Sequence, residues 1–590
     1  MKTIIIIIGA LLFLSAGCLL KQEPAMPDTD DRQFLEGLCR STWNYLDSHL
    51  AGETGFPTDS QHAGGVTNTT NIGLYLAAIG PACKMGLISE PEALSRIKKI
   101  LASLGRLESS RGFLPNWIHV DGTTAIPEGV FAVSDFNKLV TGLILVRQFF
   151  PSLNDQATEF IERVEWEWLY DDISGRMHWG YDLKNDTPVG PTDFWLASDC
   201  RLVMFYTIAS GAAPPELWDR ADRTQIQADG LKFYAPGYEF GGLFMQAMGA
   251  IFLNEMFSEM GSSIADLAWH QIRESQRRGL PAWGWSNCNI PRRGYTEGGF
   301  LPWWVITPHA SALVIGYYPQ HVINNLRKLQ QMGMRKPLPG SENDYGFRDS
   351  INLITGQVDN RYLSLDQAML FLSLVNYLHK DMVREYFSRD PLVSRGLELL
   401  GKKLAAKMEL AALYAKRDKT RPKPLDPEKA GAIPLQIDFT KTDLGTTTNT
   451  WGAGISIKTT GSSEGLEITY DLGPDGSGEA EATIRIPPVD ARNLKDVRII
   501  CGSESETVLG GLRVYFRDDQ GQSQFAYINI MDGAVRPYII RETGRYGMFA
   551  RPHMLSSVTF KLWGRPWYYT ERRTKSRQGK IILKKMIFSD

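Results

Sequence analysis

Apolar side chains recur at three- and four-residue spacing over residues 32–415, and beyond residue 432 they alternate with polar ones at a spacing of two. The first pattern lays an apolar stripe along a helix, and the second covers one face of a strand. Helical patterns run over 32–50, 70–85, 91–107, 134–150, 156–170, 193–209, 243–256, 264–277, 310–317, 319–331 and 364–378. Strand patterns run over 466–472, 482–486, 497–500, 512–516, 525–529, 558–562 and 579–583. Glycine, proline and tryptophan fill the loops between helices, as in Arg111-Gly-Phe-Leu-Pro-Asn-Trp117 and Pro281-Ala-Trp-Gly-Trp-Ser-Asn287, where helix propensity is low and functional groups collect. The expected chain is multidomain, α and β: a closed α/α toroid at 32–415 and a β-sandwich at 432–590. An open solenoid would need a fixed-period repeat, and none is visible. Residues 416–431, charged and proline-bearing, can neither pack a core nor continue a helix, and are read as a linker.

The beginning of the chain follows another rule. Met1-Lys2-Thr3 leads into an apolar run from Ile4 to Leu14 and then into Ser15-Ala16-Gly17-Cys18. That run is shorter than the roughly 20 residues a spanning helix needs, and it ends in small residues followed by a cysteine. It resembles the lipobox of bacterial lipoproteins, so residues 1–17 are expected to be a cleaved signal, Cys18 the lipidated residue and 18–31 a tether. An ordinary cleaved signal with Cys18 incidental is the plainer alternative. Acyl chains anchor at about 0.8 kcal/mol per buried methylene, so the mature protein is expected to be exported and held on a membrane of the cell envelope without crossing it.

A net charge of −2 gives no concentrated basic face for nucleic acid, and the short cluster 572–577 is read as a solvated hairpin. The remaining cysteines, Cys39, Cys83, Cys200, Cys288 and Cys501, lack metal-binding spacing, so no metal site is expected, although an oxidising compartment would allow one disulfide. No nucleophile elbow or phosphate loop is present, and no cofactor is called for. Oligomeric state stays open.

Several segments in order carry a resemblance: Thr69-Thr-Asn-Ile-Gly-Leu-Tyr-Leu-Ala-Ala78, Gly112-Phe-Leu-Pro-Asn-Trp117, Val133-Ser-Asp-Phe-Asn-Lys-Leu139, Leu196-Ala-Ser-Asp-Cys-Arg-Leu202, Trp283-Gly-Trp285, Ile306-Thr-Pro-His-Ala-Ser-Ala312, Tyr345-Gly-Phe347 and Leu365-Asp-Gln-Ala-Met369. Together, over residues 32 to 400, they resemble glucoamylase-like domains. That family includes endo-β-1,2-glucanases, domains attached to cyclic glucan synthases, and a group of unknown function that residues 65 to 170 resemble especially. The resemblance implies an (α/α)6 toroid that hydrolyses a glucan or related polysaccharide. The strand region, with Ile437-Asp-Phe439 near its start and Lys584-Lys-Met-Ile-Phe588 at its end, resembles jelly-roll, galactose-binding-like modules appended to carbohydrate-active enzymes.

Glycoside hydrolysis needs a carboxylic acid for the leaving oxygen and, in an inverting enzyme, a carboxylate that activates water. Asp135 matches an acidic position of the family's pocket, Asp199 stands where the family has glutamate, and Asp366 lies in a matching motif; these are the catalytic candidates. Two departures bear on activity, the shorter side chain at Asp199 and Ala132, where the glucanase branch carries an aspartate. The structural alternative for Ser134 or Asp135 is a helix N-cap. Glu239 and Glu297, in glycine-rich loops, are further acidic candidates that would equally serve to hold loops. Sugar rings stack on flat aromatics, which makes Trp117, Trp195, Trp283, Trp285, Tyr295, Trp303 and Trp304 candidates, and Asn71, Asn116, Arg201 and His309 can bond hydroxyls. The expected partner is an oligo- or polysaccharide. A non-catalytic glycan-binding lipoprotein is the alternative from another class.

Overall fold

In the computed structural model of the chain, residues 27–404 are described apart from 63–64, 125–129, 183–184, 190–193, 229–230, 238–241, 278–279, 292–293, 297–304, 354 and 402. Residues 435–589 are described apart from 442–443, 452–453, 474–478, 491–495, 504–510, 519–522, 529–535, 542–553 and 564–577. The signal, the tether through residue 26 with Cys18, the linker, the basic cluster at 572–577, Glu239, Glu297, Trp303 and Trp304 lie outside the described residues, whereas residues 29–31, read as tether, already open the helix Thr29–Ser48.

Two kinds of helix alternate along the first part of the chain. Thr69–Lys84, Val133–Phe149, Arg201–Ser210, Gly242–Ala247, Pro308–Ala312 and Ser364–Leu378 are buried nearly all round. Glu90–Leu104, Asn154–Glu162, Pro319–Gln331 and Pro391–Leu400 bury only one face. A helix apolar on every side belongs inside, and one with a single apolar stripe belongs outside, so sequence composition sorts them into two layers. Among the described residues no helix is long and apolar enough to cross a membrane.

Starts and stops follow local chemistry. The Asn68 side chain accepts from Asn71 N–H at the head of Thr69–Lys84, Ser89 and Glu92 form a capping box, and Gly211 ends Arg201–Ser210 in the left-handed conformation at φ 91°. Four expected helices are shorter than their patterns, among them the run 310–317, which stops at Ala312. The run from 156 ends at Glu162 and resumes only as a 3-10 turn at Trp166–Leu169. The run from 243 breaks at Ala247 into a second 3-10 turn, and the run from 193 begins only at Arg201. Periodicity persists through such turns because an i+3 contact survives in 3-10 geometry. Helices Met382–Ser388 and Pro391–Leu400 were not anticipated.

Thr69–Lys84 and Val133–Phe149 pack side by side with their N-termini at the same end. Glycines let them approach: a Cβ at Gly73 would overlap the Lys138 carbonyl, and one at Gly142 would overlap the Gly73 carbonyl. Gly142→Ala is therefore expected to lower stability by about 2–3 kcal/mol, read from the midpoint of urea unfolding. A midpoint equal to wild type would show that the two helices have room to part.

In the second part, eleven strands among the described residues form two antiparallel sheets. One runs Ile455–Ser462, Gly465–Leu472, Gln578–Ser589, Asp496–Ser503, Arg536–Arg541, with Leu435–Asp438 also on Gln578–Ser589. The other runs Thr446–Trp451, Glu479–Asp490, Met554–Trp563, Gly511–Asp518, Ser523–Ile528. Side chains from both, including Ile468, Val497 and Leu583 from the first and Ile484, Val514 and Phe560 from the second, form one buried cluster. Period-two alternation produces this directly, since alternate residues face the partner sheet. Cys39, Cys83, Cys200, Cys288 and Cys501 are all free thiols, so the disulfide allowed by composition is absent among the described residues.

Candidate functional site

The polar candidates share one local address. Thr70, Asn71, Asp135, His309 and Asp366 all stand in the first turn of a buried helix, and Asp199 lies two residues ahead of another. Unpaired N–H groups and the helix dipole at such ends favour carboxylates and can orient them. Asp135 is not an N-cap: Ala132 occupies that place without a side-chain bond. Instead Thr70 Oγ1 donates to Asp135 Oδ1 at 2.6 Å. The next residue, Asn71, donates from Nδ2 to Asp59 Oδ1 at 2.9 Å. Consecutive residues thus hold two carboxylates, both only partly buried.

Burial raises the Asp135 carboxyl above the ordinary range, opposed by Lys138, Thr70 and Asn116, with Asp199 adding to the rise. Burial likewise raises Asp59, opposed by Asn71 and Arg361, and here the neighbouring Asp135 charge adds to the rise. Asp59 was missed in the sequence because it sits in a loop without a motif; the Pro57-Thr-Asp59 loop lies against the Ser364 helix, with Ser364 N–H donating to the Asp59 carbonyl at 2.9 Å. Asn71 Oδ1 and Asn116 Oδ1 are buried acceptors that meet no donor.

Asp199 is buried, and its Oδ2 lies 2.5 Å from Lys138 Nζ. Its backbone carbonyl accepts from Asn137 Nδ2 at 3.3 Å. It is not inside a helix, as its pattern suggested, but in the turn before Arg201. This ion pair fixes a lysine beside Asp135. Asp366 is also enclosed, beside Asp349 and His309.

Other expectations are corrected by packing. Arg201 is fully buried and spends every N–H inside the protein: on Glu255 by two bonds of 2.8 Å, on the Leu196 and Ser198 carbonyls at 2.8 and 3.2 Å, and on the Gln246 carbonyl at 2.9 Å. It holds the turn carrying Asp199 and cannot bind sugar. Trp285 is 0% exposed and Trp283 is buried, both in the main core, with backbones clamped by Gln271 and Asn325. A ring without an open face cannot stack on a sugar. His309 is buried with Nδ1 2.8 Å from Thr307 Oγ1, a side-chain partner and not a backbone one. Trp117 and Trp195 are half-buried, and Tyr295 is 45% exposed on the hairpin paired with Asn289. Trp117 pairs with Asn68, next to the helix that carries Thr70 and Asn71. Half-buried Trp179, unremarked in the sequence, has its carbonyl bonded by Val133 N–H two residues from Asp135.

Residues 267–391 match the family model described as "Putative glucoamylase". This part of the chain is similar to a glucoamylase-like domain. Residues 38–182 match a further family, DUF3131, of unknown function. The chain's fold is similar to that of a Bacteroides fragilis NCTC 9343 protein with the same glucoamylase description, at 19% identity and TM-score 0.55, over 65% of this chain and 98% of that one. It is similar too to the endo-β-1,2-glucanase of Chitinophaga pinensis, solved with sophorotriose and glucose, at 19% identity and TM-score 0.52, over 63% and 98%. The cyclic β-(1,2)-glucan synthase NdvB of Rhizobium meliloti (strain 1021) is 23% identical over 320 residues, 50% of this chain. The matched part spans 10% of that synthase's length.

Proposed function

We propose that the protein is a glycoside hydrolase acting on a glucan or related polysaccharide by general acid and base catalysis with inversion. The observation that carries the reading is the pair Asp135 and Asp59, held by Thr70 and Asn71, partly exposed and raised by burial. In this reading Asp135 supplies the proton to the leaving oxygen, and Asp59, facing the Asn71 amide and Arg361, takes a proton from the attacking water. Asp199 acts as a positioning residue through Lys138, in place of the catalytic role its sequence position suggested. Asp366 lies next to the Asp59 loop and takes no step. Trp117 and Trp179 stand ready as sugar-stacking faces.

The alternation of buried and one-faced helices supports a closed (α/α)6 ring, with these acids at its inner N-terminal ends. The two-sheet region fits a jelly-roll module that holds polymer, and the lipobox-like start fits an envelope lipoprotein anchored through Cys18. These finer features belong to the proposal.

The test is reducing-end release from a panel of glucans that includes β-1,2-glucan, with the anomer followed by NMR. Release of the inverted anomer is expected. Oligosaccharide binding with no new reducing ends would replace hydrolysis by glycan capture. A bell-shaped pH profile is expected in kcat/KM. Activity falls as pH drops and Asp59 is protonated, and falls again as pH rises through the raised value of Asp135, which must carry a proton. Asp59→Asn is expected to cost about 100-fold or more in kcat and to remove the acid limb of the residual activity. An acid limb that persists in this variant would assign the base elsewhere.

A further inference from the structure

Next to the Asp59 loop lies a second constellation that the proposed hydrolysis does not use. His309, Asp349 and Asp366 are each nearly inaccessible, and one ligand-capable atom from each lies within 4.8 Å of the others. His309 Nδ1 stands 3.4 Å from Asp366 Oδ2, while Thr307 Oγ1, 2.8 Å from the same nitrogen, fixes the ring. His309 Nε2, Asp349 Oδ1 and both carboxylate oxygens of Asp366 meet no donor or acceptor outside the cluster, and the two carboxyls lie within hydrogen-bonding reach of each other. They line a water-sized recess of about 10 Å³ with Thr307, Phe347 and Gln367.

Two buried carboxyls with so few donors are costly unless a proton or a cation lies between them. The surroundings look built to hold them in place. Asn289 N–H donates to Asp349 Oδ2 at 2.5 Å, Asn289 Nδ2 donates to Asp359 at 2.8 Å, and Arg361 Nη1 donates to Asn289 Oδ1 at 2.9 Å. Arg348, which also lines the recess, donates to the Gly333 carbonyl.

We propose that His309, Asp349 and Asp366 form a structural site for a divalent transition-metal ion of the zinc class. One imidazole with two carboxylates is a borderline donor set: it suits zinc or manganese, whereas calcium takes oxygen ligands alone. Thr307, Asn289 and Arg361 supply the outer contacts that orient such ligands. Because the ligands come from the Pro308–Ala312 helix, the loop that follows the Pro319–Gln331 helix and the Ser364–Leu378 helix, an ion there ties these elements together next to the Asp59 loop. The proposal is independent of the hydrolase reading.

The full chain is stripped with chelator and titrated with zinc chloride alone, with manganese chloride in parallel, and metal content is measured after dialysis. Roughly one ion per chain is expected, with a rise in Tm of about 5 °C that EDTA reverses. Asp349→Asn and His309→Gln are each expected to abolish both the bound ion and the Tm rise while circular dichroism stays that of the folded protein. If either variant fails to fold, Asp366→Asn, which replaces a buried carboxyl by a neutral group of the same shape, is read the same way. Stripped wild-type protein that binds neither ion and shows no Tm change would overturn the site, leaving a proton shared between Asp349 and Asp366. Metal retained at full stoichiometry in the folded variants would overturn it too, by placing the ion elsewhere.

Discussion

Asp135→Asn is expected to lower kcat on the hydrolysed glucan about 1000-fold, with little change in KM and with Tm within about 1 °C of wild type. The expectation follows from geometry. Asn keeps the size of the side chain and still offers an oxygen to Thr70 Oγ1, so the bond that joins the two helix ends at 2.6 Å survives. What disappears is the acidic proton, which a neutral amide cannot deliver to a glycosidic oxygen. A structural role would read the other way, as a fall in Tm with unchanged turnover. Unchanged turnover would end the assignment of Asp135 as general acid and, with an unaltered pH profile in Asp59→Asn, the hydrolase mechanism built on this pair.

The second large effect concerns stability. Arg201→Met is expected to destabilise the folded protein by about 3–5 kcal/mol, seen as a lower urea midpoint and a Tm lower by roughly 10 °C. Arg201 and Glu255 are fully buried, and the guanidinium saturates one carboxylate and three backbone carbonyls. Removing it strands the Glu255 charge and takes the side-chain donor from the Leu196, Ser198 and Gln246 carbonyls, of which Ser198 keeps the Arg201 backbone N–H. Arg201→Lys is expected to rescue little, because a point ammonium cannot reproduce the planar fork. The double variant Arg201→Met with Glu255→Met is expected to lose less than Arg201→Met alone, since no buried charge then remains unpaired. A single variant as stable as wild type would show that water reaches Glu255. The two predictions are separable: Asp135 changes rate without stability, and Arg201 changes stability first and rate only through the turn that carries Asp199.

Local periodicity carried much of the fold. The patterns at 319–331 and 364–378 coincide with observed helices because thirteen or fifteen residues of regular apolar spacing leave one stable way to hide the apolar side chains. The alternation Leu466-Glu-Ile-Thr-Tyr-Asp-Leu472 placed Ile468, Tyr470 and Leu472 in the sandwich core for the same reason. The strands Thr446–Trp451, Ile455–Ser462 and Arg536–Arg541 are not marked in the sequence: the first is almost all threonine, the second ends in threonine and glycine and the third carries proline, so none shows a clean apolar alternation.

The site was legible only as residue types. Loop-to-helix junctions pointed to Asp135, Asn71, His309 and Asp366, since a helix N-terminus is marked by short-range signals. Whether a charged or aromatic side chain at such a junction faces solvent or core depends on neighbours far along the chain. Arg201 and Trp285 look in the sequence like ligands for sugar, yet Glu255 and Gln271 claim them inside the protein. Asp59 carries no motif, and only the approach of the Thr69–Lys84 helix, through Asn71, brings it beside Asp135. The gathering of His309, Asp349 and Asp366 likewise has no trace in their spacing. Hydrophobic period is a property of a dozen adjacent residues, and so the helices, strands and their buried faces follow from the chain read in order. Burial, ion pairing and the raised acidity of a carboxyl are properties of what lies within a few ångströms, and those neighbours are chosen when the helices pack.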